Sequence, residues 1–284
     1  MHIRRNINLL IQRSNYQIVK VYDKDTPVCL PPEAFLEDQV LQQRISPGRK
    51  HAWLIAAPKS GSTWLSALLE KLLGWRVLML SGGMGGRREQ EPDFRQILRF
   101  PSENIFSRHQ HCRASESTVD FINRFRIKPI IQVRNIFDTI ISFRDHCLRE
   151  DCRFPMAYID REFLGFGEEK QYQFIIEMVL PWYFNFYASW FQAECLAAGP
   201  PLFVQYGDLL QDPRATLRKI LDYLGESRPP AAIELTLEQV KGMDTRKNQA
   251  VAGRGNCLLN ERQKARIREM RQFYPHIDFS SIGL

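Results

Sequence analysis

The feature that most constrains how this chain can fold is a junction near residue 60. The run His51-Ala52-Trp53-Leu54-Ile55-Ala56-Ala57 is short and almost wholly apolar, the pattern of a strand buried on both faces. The polar turn Pro58-Lys59-Ser60-Gly61-Ser62 follows. From Thr63 to Leu73, Trp64, Leu65, Leu68, Leu69 and Leu72 recur at three- and four-residue steps, which predicts a helix. A strand that turns into a helix through these residues is suited to an anion. Backbone N–H groups of the turn and the helix N-terminus form a nest, and Lys59 adds a full charge. Ser62 and Thr63 supply hydroxyl donors, and Gly61 lets a ligand approach the backbone closely. The Lys precedes the Gly, so the turn is a phosphate loop of a form other than GxxxxGK[ST].

The rest of the chain extends the same alternation. Val77–Leu80, Asn104–His111 and Pro129–Val133 read as strands, and Ser117–Arg126 as a helix. Residues 172–198 read as a long aromatic helix broken near Pro181, its aromatic residues mostly core. Leu202–Tyr206 is a fifth strand. Asp212-Pro213 then opens a helix that Gly225 stops. Strands alternating with helices predict an α/β fold of three layers, with a central, mostly parallel sheet of about five strands flanked by helices. Such sheets bind ligands at the carboxyl ends of their strands. Ser46-Pro47-Gly48-Arg49-Lys50 marks a join between an N-terminal extension, 1–50, packed on a domain of 51–284. Gly82–Arg88 and Phe143–Phe166 are candidate lids.

Composition removes several function classes. The chain has 284 residues, and its 18 Phe and 5 Trp exclude a disordered chain. No stretch approaches the ~20 apolar residues of a membrane span, and the first eleven residues are too polar for a secretory signal, which suits a cytoplasmic protein. Six scattered Cys show no metal-ligand spacing, and Cys147 and Cys152 have no matching His/Cys cluster, so no metal is expected. A net charge of +7 admits nucleic acid, an anionic surface or an anionic small substrate. Arg262, Lys264, Arg266, Arg268 and Arg271 share one helix and read as a solvated face.

The strand Ile130–Val133 narrows the anion's chemistry. It ends in Arg134-Asn135, a cation where a nucleotide triphosphatase would place a Mg²⁺-holding Asp. Arg suits bidentate phosphate recognition, and Ser142 follows in the next helix, about two turns on. Asp138, in that helix's first turn, reads as a cap or as a partner of Arg134. The pattern is that of a site for a second phosphate.

Taken together these segments resemble the sulfotransferases that use 3′-phosphoadenosine 5′-phosphosulfate (PAPS). Pro58-Lys59-Ser60-Gly61-Ser62-Thr63-Trp64 is similar to the family's 5′-phosphosulfate loop, and Val133 to Ser142 to its 3′-phosphate site. Tyr206-Gly207-Asp208-Leu209-Leu210-Gln211-Asp212-Pro213 resembles its YEDLL-x-DP segment, and Arg246-Lys247 its RKG motif. The resemblance covers about residues 52–256. It implies that Lys59, Ser60, Gly61, Ser62 and Thr63 hold the 5′-phosphosulfate of PAPS. It further implies that Arg134, Ser142, Arg246 and Lys247 hold the 3′-phosphate, that Trp64 and Tyr206 border the adenosine, and that PAP is the product. The last motif departs from RKGxxGDWK: Asn248 replaces a Gly and the Asp-Trp pair is missing. Arg254 is then either a reserve phosphate ligand or a loop residue.

The acceptor hydroxyl must lose a proton, and His is the usual base near neutral pH. The family's Lys-Thr-His segment falls at Ser107-Arg108-His109-Gln110-His111. The family spacing is nearer the 23 residues from His111 to Arg134 than the 25 from His109, so His111 is the expected base and His109 the second candidate. Arg108 is expected to supply the missing Lys charge. Expected partners are a small-molecule, lipid or carbohydrate acceptor and, in a homodimer, a second copy of the chain; neither nucleic acid nor a membrane span is expected. Two rival classes stand beside this: a P-loop kinase using ATP–Mg²⁺, with Asp138 as its carboxylate, and a basic nucleic-acid binder.

Overall fold

A computed structural model describes residues 19–23, 26–30, 45–81, 92–93, 95–150, 156–193, 196, 198–243 and 253–284. In chain order the first elements are β1 (Val19–Asp23), β2 (Thr26–Leu30), β3 (His51–Ala56), α1 (Ser62–Leu73), β4 (Arg76–Leu78) and α2 (Arg95–Leu98). Next come β5 (Ile105–Gln110), α3 (Glu116–Arg124), β6 (Ile127–Val133), α4 (Ile136–Arg149), α5 (Glu162–Gly165) and α6 (Glu168–Phe174). A π-helical turn (Ile175–Val179) leads into α7 (Leu180–Phe191), β7 (Leu202–Gln205), α8 (Tyr206–Gln211) and α9 (Pro213–Leu224). The chain closes with α10 (Pro230–Lys241), α11 (Arg254–Leu258) and α12 (Glu261–Glu269).

The strands β4-β5-β3-β6-β7, in that order, form one sheet that is parallel throughout, while β1 and β2 pair antiparallel by themselves. β3 lies at the centre, and every one of its residues is buried. Its alternation builds the layers. Ala52 and Leu54 pack with Leu65, Leu68 and Leu69 of α1 and with α9, whereas Trp53 and Ile55 pack against α3, α4 and α7. Each fully buried Leu of α1 contributes roughly 1.5–3 kcal/mol. The chain passes from β3 outward to β4, back to β5, and across β3 to β6. The crevice where the order reverses therefore opens at the carboxyl ends of β3, β5 and β6.

Local signals explain most element ends. Asp212 Oδ1 accepts from Ala215 N at 2.9 Å, Pro213 sits in the first turn, and Gly225 stops α9 at φ 63°. Gly74, at φ 63°, closes α1. Three expectations change. The aromatic segment begins at Glu168 and ends at Phe191, and Pro181 does not break it. Pro181 directly follows the π turn, whose wider bonding, with Leu180 N donating to Ile175 O, accommodates a proline inside the continuous helix. Tyr206 opens a helix instead of ending β7, with Asp208 favouring the helix N-terminus. Phe143 to Arg149 belong to α4, and Phe143 is buried, so that part of the expected lid is core; the Gly82–Arg88 loop and residues 151–155 lie outside the described residues.

Asp212→Ala removes the cap of α9 and should lower the unfolding free energy by about 1 kcal/mol. Asp212→Asn should lose clearly less in the same urea titration.

Candidate active site

β3 delivers the loop to the crevice, and the loop's backbone is unusual. Lys59 (φ 64°) and Gly61 (φ 85°) both adopt the left-handed region. For a residue with a Cβ this costs about 1–2 kcal/mol, strain of the kind that collects at functional sites. Ser60 closes the turn, its Oγ donating to Ala57 O at 2.7 Å and its N–H to the same oxygen at 3.3 Å. Gly61 O accepts from Trp64 N at 3.1 Å, which starts α1. The ring of Tyr206 lies against Gly61, so that a Cβ at residue 61 would collide with it. Trp64 is buried in the same layer as Tyr206.

Arg134 meets this loop from β6. Its Nη1 donates to Lys59 O at 2.9 Å, and its guanidinium lies 4.5 Å over the Tyr206 ring. Gly61 and Arg134 thus both pack against Tyr206. Arg134 is only 8% exposed. Burial pulls its pKa down; Tyr206 and Asp138 oppose that, and the nearby Arg254 adds to it. An incoming anion would offset both the desolvation and the cation–cation repulsion.

The helix after Arg134 organises a second segment. Asn135 caps α4, its Oδ1 accepting from Phe137 N at 3.0 Å and Asp138 N at 3.3 Å. Asp138 then reaches across the structure, accepting from Gly253 N and Gly255 N, both at 2.8 Å. Asp145 Oδ2 accepts from Arg254 Nη1 at 2.8 Å. Residues 138, 142 and 145 share a helix face, so the buried Ser142 lies on the side that carries these two contacts. A Cβ at Gly255 would strike the Phe137 backbone, which explains a glycine there. Asp138 is therefore a cap for residues 253–255 that also supports Arg134, and Arg254 is an ion-paired neighbour of Arg134. Arg246, Lys247 and Asn248 lie outside the described residues.

His109 lies in β5, and His111 directly follows the strand. His111 Nδ1 is 2.7 Å from Ala56 O, and a carbonyl only accepts, so Nδ1 carries the proton and the lone pair sits on Nε2. Ala56 is the last residue of β3, one step before the loop begins to turn. His109 is 3% exposed, and its ring centroid lies 6.0 Å from that of His111. Arg108 corrects an expectation: strand alternation turns it away toward α1, where Nη2 pairs with Glu70 Oε2 at 2.6 Å. It does not supply the charge next to the histidines.

Sequence reasoning missed three residues at the loop. Tyr183 of α7 donates its hydroxyl to Pro58 O at 2.9 Å, and Tyr187 lies one turn further along the same helix. Gln132 is fully buried on the strand face of Arg134, and neither of its amide atoms has a hydrogen-bond partner. Its Nε2 lies 3.5 Å from where a Cβ on Gly61 would sit. A lone amide in an apolar strand was the signal. By contrast, a 610 Å³ groove between α6 and α12, lined by Glu169, Glu177, Arg262 and Arg266, contains none of these residues. Arg266 is held there by Glu177 through two 2.9 Å bonds.

A family model described as "Sulfotransferase domain" matches residues 49–282. The fold is similar to that of the mouse sulfotransferase SULT7A1 complexed with PAP, at 16% identity over 93% of this chain and 97% of that one, with a TM-score of 0.59. It is also similar to retinol dehydratase in complex with androsterone and PAP, at 14% identity over 96% and 94% of the two chains, with a TM-score of 0.56.

The strained loop makes a prediction about stability. Lys59→Gly and Lys59→Ala lose the same side chain, but only Gly accepts a positive φ freely. Lys59→Gly should unfold at a higher temperature than Lys59→Ala, by roughly 1 kcal/mol of stability. Equal melting temperatures would show that the left-handed conformation at residue 59 is not retained.

Proposed function

Because the chain belongs to the sulfotransferase domain family, we propose that it moves a sulfuryl group from PAPS to the hydroxyl of a small alcohol, lipid or sugar. The observation that carries this reading is the Arg134–Lys59 hydrogen bond, which joins a phosphate loop to an arginine strand end at 2.9 Å. PAPS carries a phosphosulfate at its 5′ end and a phosphate at its 3′ end, and each of these two segments suits one of them. The unpartnered amide of Gln132 also fits a ligand that offers hydrogen bonds. Residues 51–284 form the binding unit in this reading; of the expected N-terminal extension, residues 1–18, 24–25 and 31–44 lie outside the described residues.

The nucleotide-binding roles are those that the resemblance to the family implies. Lys59 and the N–H groups of Ser60 to Thr63 hold the 5′-phosphosulfate. Arg134 and Ser142, with Arg246 and Lys247, hold the 3′-phosphate. Trp64 and Tyr206 border the adenosine. His111 Nε2 takes the proton of the acceptor hydroxyl, whose oxygen bonds to sulfur as the bond from sulfur to the bridging phosphate oxygen breaks. Charge then grows on that oxygen, and Lys59 and the loop N–H groups stabilise it. PAP leaves with the electron pair. His109 is the second candidate for the base.

A kinase reading would need a carboxylate to hold Mg²⁺ beside Arg134. Both oxygens of Asp138 are committed to Gly253 and Gly255 at 2.8 Å, which disfavours that role. Among the described residues no helix is long and apolar enough to cross a membrane.

The test is transfer of labelled sulfuryl from PAPS to a panel of hydroxyl acceptors. Lys59→Ala and His111→Ala should each lower kcat by about 10²-fold or more. Calorimetry should separate them, since only Lys59→Ala should weaken binding of 3′,5′-ADP (the PAP nucleotide). Equal loss of nucleotide affinity in both variants would overturn the assignment of His111 as base.

A further inference from the structure

We infer that Tyr183 and Tyr187 of α7 are positioning residues that hold the phosphate loop and the arginine strand end in one fixed relation. The inference rests on the nucleotide-binding reading above and concerns how that site is kept in shape. The aromatic helix α7 packs against the loop, and its two tyrosines, four residues apart, share one face. Tyr183 is buried, and its hydroxyl donates to Pro58 O at 2.9 Å, at the first residue of the loop. Tyr187 is fully buried, and its hydroxyl lies against the Ser60 hydroxyl and the Arg134 backbone N–H. It meets full hydrogen-bond geometry with neither of them. Its hydroxyl thus lies beside both the loop and the arginine strand end.

The placement has a structural cause. The π turn at Ile175–Val179 inserts one residue before α7 and rotates the helix that follows it. Without that rotation by about 100°, the face that positions 183 and 187 share would not be turned to Pro58 and Ser60. Burial raises both phenols, that of Tyr187 to about 12, so each remains a neutral O–H donor across the physiological range. A hydroxyl is an odd choice for a helix otherwise packed with Phe and Trp. Phenylalanine would fill the same space without placing a buried polar group. The Tyr183 hydroxyl holds a loop carbonyl, and the Tyr187 hydroxyl lies beside the loop hydroxyl and the strand-end N–H.

Under this arrangement Tyr183 restrains a loop that carries left-handed strain at Lys59, and Tyr187 relays the loop's position to Arg134. Tightening of the loop around an anion would bring Ser60 and Arg134 toward the Tyr187 hydroxyl and complete its hydrogen bonds.

The experiment compares Tyr183→Phe, Tyr187→Phe and, as a control, Tyr274→Phe, whose hydroxyl contacts Asn185 at 3.2 Å at the protein surface. Amide hydrogen exchange of the nucleotide-free full chain reads residues 58–65 and 133–136 directly. Tyr183→Phe should speed exchange in 58–65 by roughly tenfold, the size expected for one lost buried hydrogen bond, with the remainder of the sheet unchanged. Tyr187→Phe should speed exchange in both segments. In calorimetry both should weaken 3′,5′-ADP by a similar factor, and Tyr274→Phe should alter neither readout. A uniform rise in exchange with unchanged nucleotide affinity would mean simple core packing and overturn the inference. If the wild type fails to bind 3′,5′-ADP while the two segments still respond as stated, the nucleotide reading falls and the bracing of the loop stands.

Discussion

The structure depends on the contact between Arg134 and the carbonyl of Lys59. A guanidinium almost fully removed from water needs compensation, and here it obtains one backbone acceptor and the face of one aromatic ring. Both belong to the crevice at the carboxyl ends of the central strands. Removing either would leave a buried cation short of partners, so loop, strand end and Tyr206 are energetically tied. The same contact fixes the backbone of a residue in the left-handed region, and the surrounding core supplies the rigidity that such strain requires.

The remainder of the fold serves that contact. β3 is buried on both faces because α1 and α9 cover one side and α3, α4 and α7 the other. This leaves its carboxyl end as the place where the loop meets the crevice. β5 brings His111 alongside, and the Ala56 carbonyl selects the tautomer with a lone pair on Nε2. α4 begins directly after Arg134 and uses Asp138 and Asp145 to hold residues 253–255 against the same region. The loop, Arg134 and His111 therefore hang from adjacent strands of one sheet.

Local chemistry made part of this legible. The β3–loop–α1 junction, the α9 cap and stop, and the five-stranded parallel sheet follow from periodicity, capping residues and turn residues close together in sequence. The π turn escaped because an extra residue inside an aromatic helix leaves the hydrophobic pattern almost unchanged, and Pro181 looked like a break. Contacts between distant segments escaped altogether. Asp138 meets Gly253 across 115 positions, and Tyr183 meets Pro58 across 125. No periodicity links such pairs. Arg108 misled because charge near a histidine in sequence was read as charge near it in space, whereas adjacent strand residues point to opposite faces.

The account is tested most directly by calorimetric titration of the wild type and Arg134→Ala with 3′,5′-ADP, beside ATP–Mg²⁺ at the same salt concentration. It predicts tight, metal-independent binding of 3′,5′-ADP that Arg134→Ala abolishes, with no comparable binding of ATP–Mg²⁺. Binding of ATP–Mg²⁺ alone, or 3′,5′-ADP binding that survives loss of Arg134, would contradict it.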